Sequence, residues 1–286
     1  MKRRPKEYHL DHTSVNEIKL YKKHTEGLLQ FHWEYYSELA YQRNLIFHQL
    51  QQSLVKHCSG PFVFQDWQRA VKYKYCLEPL SLKGSLNDPG GRFNIGAIDT
   101  ARFPPFPALY LASDKNTALH ELLGQVSGKE NSELTPFEIA LTAPDSVTIV
   151  RVNGELEQVL DLTAEGILRD FLKLIKKFQL SRSLVQKAKQ LKIPFELIRT
   201  EKKLLESLLT PNWRTFPMLY DVPANPQIFG QIAMSAGIEG ILYPSKLSKQ
   251  PCLAMFPQTF KGTSSFVELT GELPEQVSCR KLDGNA

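Results

Sequence analysis

The sequence predicts an α+β fold, because helical and strand-like segments occur in blocks instead of alternating regularly along the chain. Apolar residues over 14–57 recur at three- and four-residue steps, which is the spacing of one helix face. Short apolar runs in the middle and at the end of the chain are bounded by Gly, Pro, Asn and Asp, as strands are. This order of elements disfavours a doubly wound parallel sheet.

The N-terminal segment is predicted to be helical from residue 14 to about residue 57. Its apolar positions, from Ile18 to Leu54, include several aromatic residues, and Gly60 and Pro61 end the pattern. The segment forms one long helix or a helical hairpin. We interpret its apolar face as packing against the main domain, with a surface for a partner as the alternative.

The central segment predicts a strand followed by a helix. The run "ALYLAS" at 108–113 is typical of a buried strand, and "DKNTALHELLGQV" at 114–126 is typical of a helix that Asp114 caps. The apolar face of that helix consists of Ala118, Leu119 and Leu122. Next, "PFEIALTA" at 136–143 and "SVTIVRV" at 146–152 are predicted to pair as strands around a Pro-Asp turn.

The remaining elements are a lysine-rich helical stretch, one more helix and two strands. Residues 162–210 are predicted to be helical in two or three pieces that break near Ser181 and Pro194. The later elements are a short helix at 227–237 and two final core strands, "EGILYPS" at 239–245 and "CLAMFP" at 252–257.

Composition and charge favour a cytoplasmic protein with reduced thiols. No apolar run reaches the roughly 18 residues that a membrane-spanning helix needs, and no apolar segment follows the basic N-terminus as in a secretory signal. The four cysteines form no CxxC pair, so neither a zinc site nor a disulfide framework is indicated. The net charge of +5 is mild, and its basic arm at Lys2–Lys6 indicates a solvated tail more than a nucleic-acid contact.

Several familiar catalytic motifs are missing. The stretch "HELLG" at 120–124 lacks the second histidine of a zinc-protease helix, and "GQVSGKE" at 124–130 lacks the spacing of a phosphate-binding P-loop. Neither GxGxxG nor GxSxG occurs. We therefore expect no metal site and no dinucleotide-binding βαβ unit.

What remains is a set of polar residues at the ends of predicted elements. Arg92 lies in the glycine-rich stretch "GGRFNIG" at 90–96, Tyr110 lies inside the next strand, and Glu121 follows in the helix. Ser245 ends a late strand behind Tyr243. Each also has an ordinary structural interpretation, as a turn arginine, a core tyrosine, a solvated glutamate and a turn serine.

Three separated blocks resemble the RES domain, a family named for its arginine, glutamate and serine. These blocks are "GGRFNIG", "ALYLASDKNTALHE" and "GIEGILYPSKL" with the later "CLAMF", and they occur in the family's order. The resemblance covers roughly residues 75–260. Phe93 stands where the family often has tryptophan, and the stretch "DTARFPPFP" at 99–107 is an addition to the family pattern.

The resemblance implies an ADP-ribosyltransferase-like fold, with a bent, split β-sheet and a cleft for NAD as substrate. It implies a bacterial toxin that consumes NAD by hydrolysis or phosphorolysis of the nicotinamide–ribose bond, or that transfers part of NAD to a protein. Its partner would be a helix-turn-helix antitoxin that blocks the cleft. The expected domains are a helical extension at 1–60, a RES domain at 61–275 with a helical insertion at 162–210, and a tail at 276–286.

The resemblance also gives each residue an expected role. The planar guanidinium of Arg92 suits a pyrophosphate, and the neighbouring Gly91 lets the backbone approach the ligand. Glu121 suits the positive charge that develops on the ribose when the glycosidic bond breaks. Tyr110 is expected to stack on nicotinamide.

Three further residues complete the expected site. Ser245 is expected to hydrogen-bond the nicotinamide amide or a phosphate, and it has no histidine base that would make it a nucleophile. Asn94 and Tyr243 are expected to line the site, with Asn94 either contacting the ligand or fixing the turn.

Three functions stay open at this level. The first is NAD cleavage of the RES type, and the second is ADP-ribosyl transfer onto a protein. The third is a binding module without catalysis, whose partner would meet the N-terminal helix or, for nucleic acid, the basic arm. The sequence also leaves homo-oligomers open.

Overall fold

A computed structural model describes residues 14–123 and 147–285 of the 286-residue chain. The basic arm at Lys2–Lys6, the predicted strand at 136–143 and the end of the predicted helix at 114–126 lie outside the described residues.

The described α-helices are α1 (Val15–Leu45), α2 (Phe47–Val55), α3 (Lys115–Leu123), α4 (Arg169–Ile175), α5 (Arg182–Leu191), α6 (Glu201–Leu209), α7 (Thr215–Tyr220) and α8 (Asn225–Ser235). The described strands are β1 (Phe62–Lys72), β2 (Gly90–Gly91), β3 (Asn94–Ile95), β4 (Leu109–Ala112), β5 (Val147–Leu156), β6 (Val159–Asp161), β7 (Gly240–Pro244), β8 (Pro251–Met255), β9 (Phe266–Thr270) and β10 (Lys281–Asp283).

An eight-stranded sheet forms the centre of the fold, in the order β10-β9-β5-β1-β4-β8-β7-β6. Its neighbours pair antiparallel except β6 and β7, which are parallel. β2 and β3 form a separate two-residue hairpin. This confirms the α+β class that the sequence predicts.

The apolar core covers one face of the central strands. In β4 the side chains of Leu109 and Leu111 are buried in this core, while Tyr110 between them points to the other face, as the two-residue period of a strand requires. Strands β5 and β8 supply further core residues, among them Val152 and Met255, neither of which is exposed. The opposite face of β4 is thereby left for a functional site.

The chain divides into two compact units. One comprises the residues up to Leu45 together with Phe178–Leu197, and the other comprises Ile46–Lys177 together with the residues from Ile198 onward. In the smaller unit Phe31 of α1 is almost fully buried against Leu184 and Ala188 of α5. The larger unit contains the whole sheet.

The helix predicted over 14–57 is present but ends and restarts at Ile46, where the backbone leaves the helical region. The boundary between units falls at this break, earlier than the domain boundary expected at residue 60. The lysine-rich stretch forms helices α4, α5 and α6, with breaks on either side of α5 as predicted.

Two features of the sheet differ from the expectation. The long strand β1 is not predicted, because a bulge between Phe64 and Trp67 interrupts the alternation of apolar and polar residues. The strands β7 and β8 are not the final ones, since β9 and β10 follow and pair with each other. β10 places part of the expected tail at 276–286 in the sheet.

Candidate active site

A cavity of about 560 Å³ lies in the larger unit, beside β1, the hairpin and β4. This volume falls in the range of pockets that hold small-molecule ligands. Of the residues that the sequence indicates, the cavity is lined by Gly91, Arg92, Tyr110, Glu121 and Tyr243. The other two, Asn94 and Ser245, lie behind these and are buried at 0% and 1% exposure.

The hairpin presents Arg92 to the cavity. Gly90 pairs with Ile95 and Gly91 pairs with Asn94, so Arg92 and the following Phe93 form the two-residue turn. Phe93 is fully buried, with its ring edge-on to the ring of Tyr243 at 5.0 Å between centroids. The buried phenylalanine anchors the turn in the core.

The two glycines of the hairpin are required for different reasons. Gly90 has φ +93°, a backbone conformation that other residues rarely adopt, and a Cβ there would lie 2.4 Å from the Gly96 nitrogen. A Cβ on Gly91 would lie 2.4 Å from the Tyr110 hydroxyl oxygen. The absence of a side chain at Gly91 therefore allows the hairpin to pack closely against Tyr110.

Asn94 uses all its hydrogen-bonding capacity inside the protein. Its Nδ2 donates to the carbonyls of Ser85, at 2.7 Å, and Phe106, at 3.0 Å. Its Oδ1 accepts from the Gly91 amide and from the Tyr110 hydroxyl, each at 2.9 Å. Of the two roles expected for Asn94, these bonds support the fixing of the turn, since both polar atoms of the side chain are already bonded within the protein.

Tyr110 supports the same turn from β4. Its hydroxyl donates to Asn94 Oδ1 and accepts from the Phe93 amide, both at 2.9 Å. Burial raises the pKa of this hydroxyl well above its ordinary value. The ring still lines the cavity, so stacking on a ligand stays a prediction, while the hydroxyl is already engaged by the hairpin.

Helix α8 holds the hairpin from the other side, through two residues that the sequence does not indicate. The buried Gln227 donates from Nε2 to the carbonyls of Pro89 and Asn94, at 2.7 and 3.0 Å. Gly230 packs so closely that a Cβ would lie 1.9 Å from the Phe93 carbonyl oxygen. The turn that carries Arg92 is thus fixed on both sides.

The Arg92 side chain is buried, and the described hydrogen-bond partners of its guanidinium are backbone carbonyls. Its Nη1 donates to the carbonyls of Leu208, at 3.3 Å, and Thr210, at 2.8 Å, where α6 ends. The terminal carbonyls of a helix carry partial negative charge and need donors. These bonds hold the guanidinium at the cavity wall, where Nη1 is engaged by the end of α6.

Glu121 and Ser245 form the shortest side-chain contact of the site. The Ser245 hydroxyl donates to Glu121 Oε1 at 2.5 Å. The serine oxygen itself accepts from the amides of Leu247 and Ser248, at 3.1 and 3.2 Å. The two amides fix the hydroxyl, and the hydroxyl fixes the carboxylate, so in this structure Ser245 contacts Glu121 and not the cavity.

The wall beyond Glu121 is apolar and strongly shielded from water. Burial raises the pKa of both the Tyr243 hydroxyl and the Cys252 thiol well above their ordinary values. Cys252 is therefore a neutral wall residue and no nucleophile. The neighbouring His120 is buried and does not line the cavity, so the structure separates it from Glu121 as helix geometry predicts.

Arg69 of β1 is a site residue that sequence reasoning missed. It lines the cavity and donates to three carbonyls, those of Pro79 at 2.7 Å, Tyr110 at 3.1 Å and Ser81 at 3.2 Å. Burial lowers its pKa to about 10, so it is charged at neutral pH. Arg69 is not indicated by the sequence because the strand β1 is not predicted. The pairing of β1 with β4 brings Arg69 to the Tyr110 carbonyl.

Arg214 is a second missed cation of the cavity. It lies on the helical turn Pro211–Arg214, with its guanidinium 4.7 Å from the ring centroid of the buried Trp213. Its pKa is lowered, first by desolvation and then by the positive charge of Arg92, whereas the negative charge of Glu121 raises it. These couplings place Arg92, Arg214 and Glu121 in one electrostatic group.

The site therefore combines a positioned carboxylate with an excess of cations. Among the described residues that line the cavity, Glu121 is the single carboxylate. The lining cations are Arg69, Lys72, Lys74, Arg92 and Arg214. Such a surface attracts an anionic ligand.

Within residues 14–123 and 147–285, no group of three or more His, Cys, Asp or Glu side chains is arranged to hold a metal ion. Within the same residues, the helices are too short or too polar to span a membrane.

The comparison with protein families agrees with the three sequence blocks. The family model of the RES domain matches residues 66–274. No curated protein matches the sequence. Among solved structures, the crystal structure of the M. tuberculosis MbcT–MbcA toxin–antitoxin complex matches with 14% identity and a TM-score of 0.45, over 82% of this chain and 91% of that chain.

Proposed function

Since the chain belongs to the RES domain family, we propose that it cleaves the bond between nicotinamide and ribose in NAD. The proposal is carried by one observation: Glu121 is held by a buried serine in a cavity whose other charged lining residues, among those described, are cations. A dianionic pyrophosphate needs such cations, and the cleavage of a ribosyl bond needs a carboxylate.

The pyrophosphate of NAD is assigned to the arginines. Arg92 is held by backbone carbonyls, so binding an anion requires little loss of side-chain entropy. Arg214, whose guanidinium lies over the Trp213 ring, is assigned to the same phosphates. Arginine suits this task, because its planar fork binds two phosphate oxygens at once.

Glu121 is assigned to the reacting carbon. When the C1′–N bond breaks, nicotinamide leaves with the bonding electron pair as a neutral molecule, and positive charge spreads over C1′ and the ring oxygen of the ribose. The carboxylate stabilises that charge. An oxygen of water or phosphate then bonds to C1′, and in hydrolysis the proton of the water passes to Glu121 and on to solvent.

Ser245 acts as a positioning residue in this scheme. Its hydroxyl bonds Oε1 of Glu121, which leaves Oε2 for the ribose or for the attacking oxygen. Two backbone amides hold the serine oxygen, so the carboxylate keeps its direction before substrate arrives. Preorganisation of this kind is a large part of electrostatic catalysis.

The test is to incubate the purified chain with NAD, with and without phosphate, and to separate the products by chromatography. Free nicotinamide with ADP-ribose supports hydrolysis, and the phosphorylated product only in the presence of phosphate supports phosphorolysis. Arg92→Ala should raise KM for NAD, with exposed Arg280→Ala as the matched control. Intact NAD after incubation with the folded chain, or equal turnover by wild type and Arg92→Ala, contradicts the proposal.

Label from NAD that appears on a macromolecule in lysate, and not in small molecules, would point instead to ADP-ribosyl transfer.

We extend the proposal to the cell because the RES resemblance implies a toxin. Loss of NAD is the toxic effect, and a helix-turn-helix antitoxin that covers the cavity is the expected partner. Induced expression should lower cellular NAD and stop growth, and Glu121→Gln should do neither. Growth arrest by the variant at equal protein level would separate toxicity from NAD cleavage.

A further inference from the structure

The loop that joins β7 to β8 carries Ser245 to Glu121, and it is a closed turn. The Ser245 amide donates to the Gln250 carbonyl at 2.8 Å, and the Lys249 amide donates to the Ser245 carbonyl at 2.9 Å. The Ser245 hydroxyl oxygen accepts from the Ser248 amide inside the same turn. The direction of the Ser245 hydroxyl therefore depends on how this loop is held against α3.

A second contact joins the same loop to the first turn of α3. The hydroxyl oxygens of Ser248 and Thr117 lie 2.7 Å apart. Thr117 donates from Oγ1 to Oδ2 of Asp114, also at 2.7 Å, since a carboxylate oxygen accepts. This bond uses the single hydrogen of the Thr117 hydroxyl, so Ser248 is the donor in the bond between the two hydroxyls. Thr117 is fully buried, at 0% exposure.

Two carboxylates of one helix thus receive the loop. Asp114 caps α3, where its Oδ1 accepts from the Thr117 amide at 3.0 Å. Glu121 lies seven residues later, which is about two helical turns, so both carboxylates lie on the same side of α3 and about 10 Å apart along its axis. The contact at Glu121 alone would let the loop rotate, and the contact through Thr117 and Ser248 prevents that rotation.

This chain of hydrogen bonds does not conduct protons. Its link between Ser248 and Ser245 is a backbone amide, which donates a hydrogen but cannot accept one. Neither Thr117 nor Ser248 lines the cavity. Any effect of these two hydroxyls on the reaction is therefore an effect on the position of Ser245 and, through it, of Glu121.

We propose that Thr117 and Ser248 are positioning residues of the reaction, which hold the loop between β7 and β8 on α3 so that Ser245 fixes the Glu121 carboxylate. The inference rests on the proposed function, in which this carboxylate acts on the ribose. The two hydroxyls then influence the rate of bond cleavage and leave the binding of NAD unchanged.

The test is a double-mutant cycle on kcat for NAD. Thr117→Val removes the hydroxyl and keeps the shape of the side chain, and it should lower kcat about three- to tenfold with little effect on KM. Thr117→Ser, which keeps the hydroxyl, should recover most of the rate. In a Ser245→Ala background, Thr117→Val should lower kcat by at most about twofold, because the contact through which Thr117 acts is already lost.

Two further variants support this cycle. Ser248→Ala removes the other hydroxyl of the pair at a half-buried position, and it should lower kcat as Thr117→Val does. It takes the place of Thr117→Val in the cycle if that variant does not fold. The matched control is Thr163→Val, which removes a threonine hydroxyl that donates to Asp161 Oδ1 at 2.6 Å outside the cavity lining and should keep the wild-type kcat.

The positioning role and the proposed function fail in different ways. If NAD is cleaved but Thr117→Val keeps the wild-type kcat, or lowers it equally with and without the Ser245 hydroxyl, the positioning role is wrong and the proposed function stands. If the wild type does not cleave NAD, the proposed function fails, and crystal structures of the wild type and Thr117→Val decide on the positioning. Loss of the hydrogen bond between Ser245 and Glu121 in the variant supports it, and an unchanged bond overturns it.

Discussion

At the scale of single residues, the contact between Ser245 and Glu121 is the one on which the proposed chemistry depends most. The serine is 1% exposed, so its hydroxyl influences a substrate only through the carboxylate that it holds. A second short hydroxyl–carboxylate contact, between the buried Ser265 and Glu239 at 2.6 Å, has the same chemistry and lies outside the cavity lining. The two pairs give a matched comparison.

Ser245→Ala should lower kcat for NAD about tenfold or more, because a hydrogen bond to a charged group contributes about 1.5–3 kcal/mol. KM should change little, since the arginines proposed to bind the phosphates are untouched. Ser245→Thr, which keeps the hydroxyl, should recover part of the rate. Steady-state kinetics on the three proteins measure this.

Ser265→Ala is the control, and it should lower thermal stability while kcat stays at the wild-type value. An equal fall of kcat in both serine variants would show that the hydroxyl at 245 only stabilises the fold.

Tyr110→Phe tests the role of the hydroxyl that the structure assigns to the hairpin. The change leaves the Phe93 amide and Asn94 Oδ1 each with one partner fewer in a buried place, at a cost of about 1–3 kcal/mol in unfolding free energy. Denaturant unfolding should show this loss, whereas Tyr73→Phe, at a 62% exposed tyrosine, should show none. If Tyr110→Phe is as stable as the wild type, the Tyr110 hydroxyl does not stabilise the turn.

At the scale of elements, the position of Arg92 is set by the packing of α8 on the hairpin. Gly230→Ala places a methyl group 1.9 Å from the Phe93 carbonyl oxygen, so either the helix or the turn must shift. We expect a loss of about 1–3 kcal/mol in unfolding free energy and a higher KM for NAD, because Arg92 moves with the turn. Urea unfolding and kinetics on the same preparation measure both.

The control for this change is another helical glycine. A Cβ on Gly27 of α1 meets only the side chain of Leu191, at 3.1 Å, so Gly27→Ala should gain up to about 1 kcal/mol from helix propensity. If both alanine variants are equally stable and active, the close approach of α8 does not position the arginine.

The elements also show which parts of the site the sequence can reveal. The sequence around three site residues has a recognisable local pattern: a glycine-rich stretch at Arg92, a strand at Tyr110 and a helix at Glu121. The structure places all three residues on one cavity. Arg69 and Gln227 carry no such local signal. They reach the hairpin through the pairing of β1 with β4 and the packing of α8, contacts between residues far apart in the chain.

The roles of buried residues were harder to predict than their presence. Asn94 and Ser245 were expected near a ligand, and the structure buries both behind the residues that line the cavity. A sequence pattern identifies which side chains belong to the site but not the order in which they are layered. That order is set by the tertiary packing of the hairpin and of β7.

At the scale of the whole molecule, the partly exposed carboxylate of Asp170 links several elements of the larger unit. Asp170 of α4 accepts from Lys56 at 2.6 Å, Lys173 at 2.8 Å and His57 at 3.2 Å. These hydrogen bonds, with that of Lys173 the largest effect, hold the pKa of Asp170 far below its ordinary value. A carboxyl group with a depressed pKa stabilises the folded state wherever it is ionised.

The lowered pKa of Asp170 determines how the stability of the fold changes with pH. The contribution of Asp170 is fully present above its unfolded pKa of about 3.9 and is lost as the pH falls below that value towards the folded pKa. Asp170→Asn should therefore lower the urea midpoint at pH 7 and reduce the difference between pH 7 and pH 3. Exposed Asp66→Asn is the control, and an equal pH dependence in wild type and Asp170→Asn would contradict the assignment.

The central claim is that Glu121 performs the cleavage of the nicotinamide–ribose bond. The most direct measurement is the release of nicotinamide from NAD by the wild type, by Glu121→Gln and by Glu206→Gln, which changes an exposed carboxylate of α6 outside the cavity lining. We predict release by the wild type and by Glu206→Gln at similar rates, and a fall of about 100-fold or more in Glu121→Gln. Release by Glu121→Gln at the wild-type rate, with all three proteins folded, would contradict the account.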